Sequence, residues 1–482
     1  MLNRKRIGLI AGILALTGLL LTPAPSGLTP AAWHTAAVTA LMAIWWLTEA
    51  IPIPATSLIP IVAFPLVGAG TVGQSTAPYA NPVIFLFMGG FLIALAMGRW
   101  ELHRRIALNL LSRVGSRPTA VVGGLMAVTA FLSMWVSNTA VALMMLPIGL
   151  SVIDTVEASG GRGASQPGEA GPAAGFGVAV MLGIAYAANI GGMGTLIGTP
   201  PNALLAGYKS EAHGGEVGFF GWMTLGVPLV IVALPLIFII LTRFGARLGN
   251  APIPGLSEVI GSQARGLGEI TRPERRVAVV FALAAVLWVT RPLLSNWIPG
   301  LSDAGIAIGC GLLLFLIPSG SDRGALLDWD TAEKLPWGIL ILFGGGLSLA
   351  SAIDRTELNT WLGGAAAGFA DWPPIMFVLL ITTFVILLTE LTSNTATAAA
   401  FLPVLGAVAL QVGWDPILLA APAALAASCA FMLPIATPPN AVAYSSGKVT
   451  IGQMARAGIW ANVALAFLIT ALTTWLIPLV LG

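Results

Sequence analysis

Charge is what this sequence has least of. Only 9% of its 482 residues are Asp, Glu, Lys or Arg, where soluble domains carry about 25%. With 57% hydrophobic residues and a mean hydropathy of +0.91, a soluble globular domain is excluded. The formal net charge of +2 is too small to argue for nucleic acid or another acidic partner. Cysteine is equally scarce: Cys310 and Cys429 both lie inside apolar runs. They read as buried small hydrophobes, not as a disulfide or metal site. The three histidines, His34, His103 and His213, are scattered near expected span ends, which argues against a histidine-based site. An intramembrane enzyme needs a nucleophile with a nearby base, or paired aspartates. Asp154, Asp303 and Asp354 fall at span ends instead, so no enzyme is expected.

What is present is apolar sequence in long runs, among them 277–289, 339–352 with its flanks, and 461–482. Such runs are long enough, or nearly so, to cross a hydrocarbon layer about 30 Å thick as helices. Arg4, Lys5 and Arg6 precede an apolar run to Leu21. That has signal-peptide character, but Pro25 after Ala24 makes cleavage awkward, and an uncleaved first span is expected. Full spans are expected at 7–22, 33–48, 53–70, 82–98, 175–197, 219–242, 277–294, 303–318, 336–352, 415–435 and 455–481.

The chain also repeats itself. Phe87-Met88-Gly89-Gly90 answers Phe343-Gly344-Gly345-Gly346 at an offset of 256, and Ser137-Asn138-Thr139-Ala140 answers Ser393-Asn394-Thr395-Ala396 in the same register. Arg99, Glu101, Pro118 and Pro147 meet Arg355, Glu357, Pro374 and Pro403 without a gap. Further on, Thr199-Pro200-Pro201-Asn202 answers Thr437-Pro438-Pro439-Asn440. There the offset falls from 256 to 238, so the first half carries 18 extra residues. The polar, Gly/Pro-rich loop 158–175 accommodates them. Basic residues mark cytoplasmic segments. Arg99, Arg104, Arg105, Arg113 and Arg117 follow the first motif, but only Arg355 follows the second. The halves are therefore expected to be inverted. The first repeat covers 1–242, with scaffold spans in 7–98, a re-entrant hairpin 118–153, a broken span 175–211 and a span 219–242. A basic cytoplasmic linker follows at 243–276. The second repeat covers 277–482, with spans in 277–352, a hairpin 373–411, a broken span 415–447 and a span 455–481. The fold class is thus an all-α polytopic membrane protein with about eleven spans, the N-terminus inside and the C-terminus outside. Segment 101–114 reads as an amphipathic helix on the cytoplasmic interface.

Each hairpin is apolar with a polar tip, Ser137-Asn138-Thr139 or Ser393-Asn394-Thr395. Broken helices with polar tips meeting near the midplane are the usual binding site of inverted-repeat transporters. Half-helix N-termini, amides and hydroxyls present donors to an anion. The same hydroxyls and freed carbonyls can instead hold a hard monovalent cation through oxygen. A single such triplet is more often hydrogen-bond glue between helices; two in one register favour function. Adjacent prolines in Thr-Pro-Pro-Asn free carbonyls one turn earlier, which makes a cation site, a substrate wall or a plain kink. Ser133 and Thr389 lie one turn before their tips on the same helix face, and both are assigned to cation coordination. Glu390 and Glu49 are the acids nearest membrane depth. An intramembrane carboxylate is a functional candidate, although Glu49, before Pro52 at a span end, reads as structural. Trp45 and Trp46 read as belt aromatics.

Together the two tips, the two breaks and Trp45-Trp46-Leu47-Thr48-Glu49-Ala50-Ile51-Pro52 resemble the divalent anion:sodium symporter family over nearly the whole chain. The resemblance implies a homodimer with a fixed scaffold and a transport part that moves as an elevator. It implies a first sodium site of Ser133, Ser137, Asn138 and the Gly198 backbone, and a second of Thr389, Asn394, Ala436 and Thr437. Substrate carboxylates would meet Asn138, Thr139, Thr199, Pro200, Ser393, Asn394, Thr395 and Pro438, with Ser137 beside them. No inserted soluble domain is evident, which favours C4 dicarboxylates over sulfate, and intact hydroxyls at 133 and 389 favour symport over exchange. Sodium serves as coupling ion, membrane lipid surrounds the protein, no cofactor is needed, and an inner-membrane location follows. The competing readings are a channel, a sodium-independent exchanger, a citrate or sulfate carrier, and a proton-coupled anion permease.

Overall fold

A computed structural model describes residues 2–160, 172–245, 248, 252–320, 324–364 and 372–480. Apart from one isolated bridge between Pro318 and Ala325, every element among them is a helix. Residues 161–171, most of the Gly/Pro-rich loop, lie outside the described residues.

Among the described residues, eight helices are long and apolar enough to span a membrane. Six of the eight are expected spans and two are hairpin arms, Asn138–Ala158 and Asn394–Gln411; among the other expected spans, three are shorter or broken. Segment 53–70 divides into Ile53–Thr56 and Ile59–Leu66, because Pro52, Pro54, Pro60 and Pro65 each withhold an N–H donor. Asp303–Leu316 has 14 residues and Ile417–Ala427 has 11. At about 1.5 Å per residue neither crosses 30 Å alone. The linker 243–276 is partly helical: it contains Leu256–Gly266, and Arg272 opens the helix Arg272–Leu294. Arg105 fastens it, with its guanidinium on Glu274 at 3.0 Å and on the carbonyls of Leu267, Gly268 and Glu269. The expected amphipathic helix is Leu102–Leu111, burying Leu102, Ala107, Leu108 and Leu111.

Both hairpins form. The first is Pro118–Ser133 followed by Asn138–Gly160, the second Pro374–Thr389 followed by Asn394–Gln411. Each is followed by a broken helix, Pro172–Gly192 with Pro200–His213, and Ile417–Ala427 with Pro438–Ser445. The repeat reaches the backbone angles: Glu101 and its counterpart Glu357 are left-handed, at φ 52° and 60°.

The packing is reciprocal. Pro200–His213, from the first half, lies against Asn394–Gln411 of the second hairpin. Pro438–Ser445, from the second half, lies against Asn138–Gly160 of the first. Each limb beyond a break thus crosses to the opposite hairpin, and the two tips share one cavity.

The N-terminal helix Leu2–Leu21 lies on Pro30–Thr48 through two close glycine approaches. A Cβ on Gly8 would meet Thr48 Oγ1 at 2.0 Å, and one on Gly12 would meet Trp45 Nε1 at 2.3 Å. The expectation that Trp46 is a belt aromatic fails. Trp46 is fully buried, its Nε1 donating to Ser57 Oγ at 3.1 Å, and Trp45 Nε1 donates to Leu9 O. A buried indole needs an acceptor for its N–H, and Trp46 finds it inside the protein, while Trp45 is half-buried. Cys310 and Cys429 are buried free thiols.

Candidate functional site

Four helices begin around one cavity of about 550 Å³. Asn138 and Asn394 open the outer arms of the hairpins, and Thr199 and Thr437 precede Pro200 and Pro438 at the breaks. Proline is well placed there, since the first N–H of a helix has no intrahelical partner to lose. The unpaired N–H groups and positive dipole ends of such termini favour an anion. The cavity is lined by Ser137, Asn138, Thr139, Gly198, Thr199, Pro200, Ser393, Asn394, Thr395, Ala436, Thr437 and Pro438. Every expected site residue except Ser133 and Thr389 therefore lines it. Phe87, Phe91 and Ile339, from the span helices, add apolar surface to the lining. The tips and breaks supply most of the polar lining, and the span helices contribute apolar side chains.

Ser133 and Thr389 sit just behind that lining, fully buried. Ser133 Oγ is 2.7 Å from both Asn138 Oδ1 and the Ala188 carbonyl. A hydroxyl has one proton to donate, so at least one of these close oxygen pairs lacks a hydrogen bond. The second half repeats the arrangement, with Thr389 Oγ1 2.8 Å from Asn394 Oδ1 and 2.9 Å from Ala427 O. When the hydroxyl proton goes to the main-chain carbonyl, the hydroxyl and amide oxygens remain as adjacent acceptors. That donor set, neutral and all oxygen, suits a hard monovalent cation. Among the described residues no cluster of His, Cys, Asp or Glu could hold a transition metal.

The first cluster needs a glycine. A Cβ at Gly192 would stand 2.6 Å from Asn138 Oδ1 and 3.1 Å from Gly198 O, inside the space that the oxygens surround. Behind each break the Thr-Pro-Pro-Asn asparagine acts as a clasp. Asn202 Nδ2 donates to Gly192 O and Thr195 O, and Asn440 Nδ2 to Ala430 O and Leu433 O, all within 3.0 Å. The carbonyls freed by the break are thereby held in fixed directions.

Glu390 does not line the cavity. Its buried carboxylate accepts the backbone N–H groups of Phe431, Met432 and Leu433 at 2.7, 2.9 and 3.2 Å, and Asn462 Nδ2 at 2.7 Å. It anchors the unwound strand of the second break. Glu49 lies at the cavity mouth as a left-handed helix cap, φ 50°, its N–H bonded to Trp45 O.

Among the lining residues not singled out as site residues in the sequence, three carry a cationic group or an amide. Arg4 and Lys5 stand at the mouth, and Arg4 Nη2 donates to Leu47 O and Leu391 O. In the sequence they read only as topology markers. The third is Asn189, buried in the first broken helix. Its signal was a lone amide in an otherwise apolar span, which is itself a functional pointer at membrane depth.

The comparisons with known proteins identify the family and the fold. The model of the sodium:sulfate symporter transmembrane region matches residues 3–481. The sodium-dependent dicarboxylate transporter SdcS of Staphylococcus saprophyticus is 42% identical over 481 residues, covering 99% of this chain and 92% of that protein. The protein of the same name from Staphylococcus aureus MRSA252 is 43% identical over 485 residues, with the same coverage. Two solved structures share the fold: the YdaH transporter of Alcanivorax borkumensis has a TM-score of 0.60 at 16% identity, covering 92% of this chain and 98% of that one. MtrF of Neisseria gonorrhoeae has a TM-score of 0.56 at 14% identity, covering 98% and 94%. With a full-length family match and relatives above 40% identity, this chain belongs to the sodium:sulfate symporter family, the divalent anion:sodium symporters that its tips and breaks resemble.

Proposed function

We propose that this protein is a sodium-coupled carrier of C4 dicarboxylates such as succinate, malate and fumarate. The observation that carries the reading is the pair of buried oxygen clusters, at Ser133/Asn138 and Thr389/Asn394, flanking one cavity on which four helix N-termini converge. The names of the Staphylococcus relatives support sodium and dicarboxylate. Sodium bound by Ser133, Ser137, Asn138 and Gly198, and by Thr389, Asn394, Ala436 and Thr437, orders the tips. The substrate carboxylates then meet Asn138, Thr139, Thr199, Pro200, Ser393, Asn394, Thr395 and Pro438.

Coupling follows from electrostatics. Two negative charges are costly to hold in a low-dielectric site of neutral groups. A cation about 4 Å from a carboxylate offsets roughly 4 kcal/mol at an effective dielectric near 20. Without sodium the dianion does not load. The apolar side chains of Phe87, Phe91 and Ile339 in the lining suit a transport part of hairpins and breaks that slides along a scaffold, as an elevator within a homodimer. The two halves are inverted, the N-terminus is cytoplasmic and the C-terminus external, in the inner membrane. Arg4 and Lys5 line the mouth, so the cavity opens on the face that carries the N-terminus.

Proteoliposomes given labelled succinate, citrate or sulfate, with and without a sodium gradient, test this reading. Saturable succinate uptake that tracks the gradient is expected, with Asn138→Ala and Asn394→Ala each abolishing it at normal expression. Uptake indifferent to sodium, or normal uptake by either variant, would overturn the assignment. Sulfate transported in preference to succinate would reassign the substrate alone.

A further inference from the structure

The two oxygen clusters belong to different halves of the chain, yet one side chain joins them. Asn138 Nδ2 is 3.4 Å from Asn189 Oδ1, and Asn189 Nδ2 is 3.1 Å from Thr437 Oγ1. Asn189 is 1% exposed, and it reaches from the first broken helix to the residue that caps the limb beyond the second break. We infer that Asn189 is a positioning residue that makes the two sodium sites cooperative.

The chemistry runs along the chain of amides. An amide has an acceptor end and a donor end. A cation at the first site draws Asn138 Oδ1 and so fixes Nδ2 toward Asn189. Asn189 must then present its oxygen to Asn138 and its donor end to Thr437. Thr437 Oγ1 accepts from Asn189 Nδ2 and also from the backbone N–H of Asn440. That pins the turn whose Ala436 and Thr437 oxygens complete the second site. Hydrogen bonds in a chain polarise one another where the local dielectric is low. A cation at one end therefore favours the arrangement that the other end requires, and the effect is reciprocal.

The link is single. By the shared carbonyl contact, Ala188 with Ser133 and Ala427 with Thr389, the counterpart of Asn189 is Ser428. Ser428 Oγ has no hydrogen-bond partner among the described residues, and Thr199 has no side-chain capping bond to match that of Thr437. Among the described residues, the amide and hydroxyl path from the first oxygen cluster to the second thus runs through Asn189.

This inference rests on the sodium-coupled reading above, and the experiment separates the two. The full-length protein in detergent is titrated with sodium chloride against choline chloride at constant ionic strength, without substrate. The unfolding midpoint reports binding, since a ligand held by the folded state raises it. Wild type is expected to respond steeply, with a Hill coefficient approaching about 2 for two coupled sites. Asn189→Ala should flatten the response to about 1 and raise the half-saturating sodium concentration about 5-fold, the low end of site-to-site coupling. Asn189→Asp keeps the acceptor facing Asn138 and the side-chain size but loses the donor to Thr437. It should flatten the curve as well, and it decides the matter if Asn189→Ala does not fold. The sodium activation curve of succinate uptake should change in parallel. Wild-type steepness in either folded variant overturns the inference, as does a wild-type Hill coefficient near 1. A wild type whose midpoint ignores sodium altogether overturns the sodium-coupled reading itself, and the inference with it.

Discussion

The two breaks perform one task with different chemistry. In the first, Gly191, Gly192, Gly194 and Gly198 occupy positions that hold Cys429, Ala430, Met432 and Ala436 in the second, at an offset of 238. The glycine turn satisfies itself locally: Met193 N–H bonds to Ile190 O, and Gly194 N–H to Gly191 O. It also packs backbone on backbone, since a Cβ at Gly191 would meet Ala130 O at 2.2 Å. The second break has side chains there, and its N–H groups at Phe431, Met432 and Leu433 turn outward to the Glu390 carboxylate. At the offset of 256, the first half has Met134 in that place. A buried N–H must find an acceptor; one half supplies it within the turn and the other from a neighbouring hairpin. The clasping asparagines, Asn202 and Asn440, stay the same in both halves. What aims the freed carbonyls is shared, and what closes the turn is not.

The largest expected effect separates the halves at the anchor. Glu390→Leu leaves three buried or half-buried backbone N–H groups and the Asn462 amide without their acceptor, at about 1 kcal/mol or more for each backbone group. Thermal unfolding in detergent should therefore show a loss of at least about 3 kcal/mol. Met134→Leu, in the mirrored place, conserves volume and should cost less than about 1.5 kcal/mol. Equal losses would break the comparison. Next comes the glycine that faces the first oxygen cluster. Gly192→Ala should reduce sodium-driven uptake by about 10-fold or more, which corresponds to about 1.4 kcal/mol of lost binding. Ala430→Gly, its mirror, should stay within about 1 kcal/mol of wild-type stability, with uptake little changed. A tolerated Gly192→Ala would mean that the cation lies elsewhere.

The smallest difference is expected where the halves agree. Asn202→Ala and Asn440→Ala each remove two hydrogen bonds, of about 1 kcal/mol apiece. The two losses should match within about 1 kcal/mol when measured side by side by thermal unfolding. A clear inequality would show that the clasps, too, have diverged.

Much of this was legible in the residues themselves. The repeat, both tips and both breaks could be read because identity at fixed spacing survives without a structure. Ser133 and Thr389 followed from helical geometry one turn before each tip. The lengths of the spans were less legible. Segment 53–70 reads as apolar throughout, yet prolines divide it, and hydropathy is indifferent to where a backbone donor is missing. Trp46 reads as an interfacial aromatic because sequence cannot show the Ser57 hydroxyl that receives its N–H. Asn189 went unread as a site residue because it has no matching asparagine in the other half, and its partners lie 51 and 248 residues away.

The sequence by itself determined that the chain lives in a membrane, that it is doubled, and which neutral polar triplets interrupt its apolar runs. Those properties depend on composition and on spacing along the chain. Only the tertiary structure decided that the limb beyond each break crosses to the opposite hairpin, that Glu390 serves backbone rather than cavity, and that one amide spans both oxygen clusters. Such contacts join residues far apart in the chain, and burial makes them obligatory: a polar group removed from water must be paired by whatever the fold brings beside it.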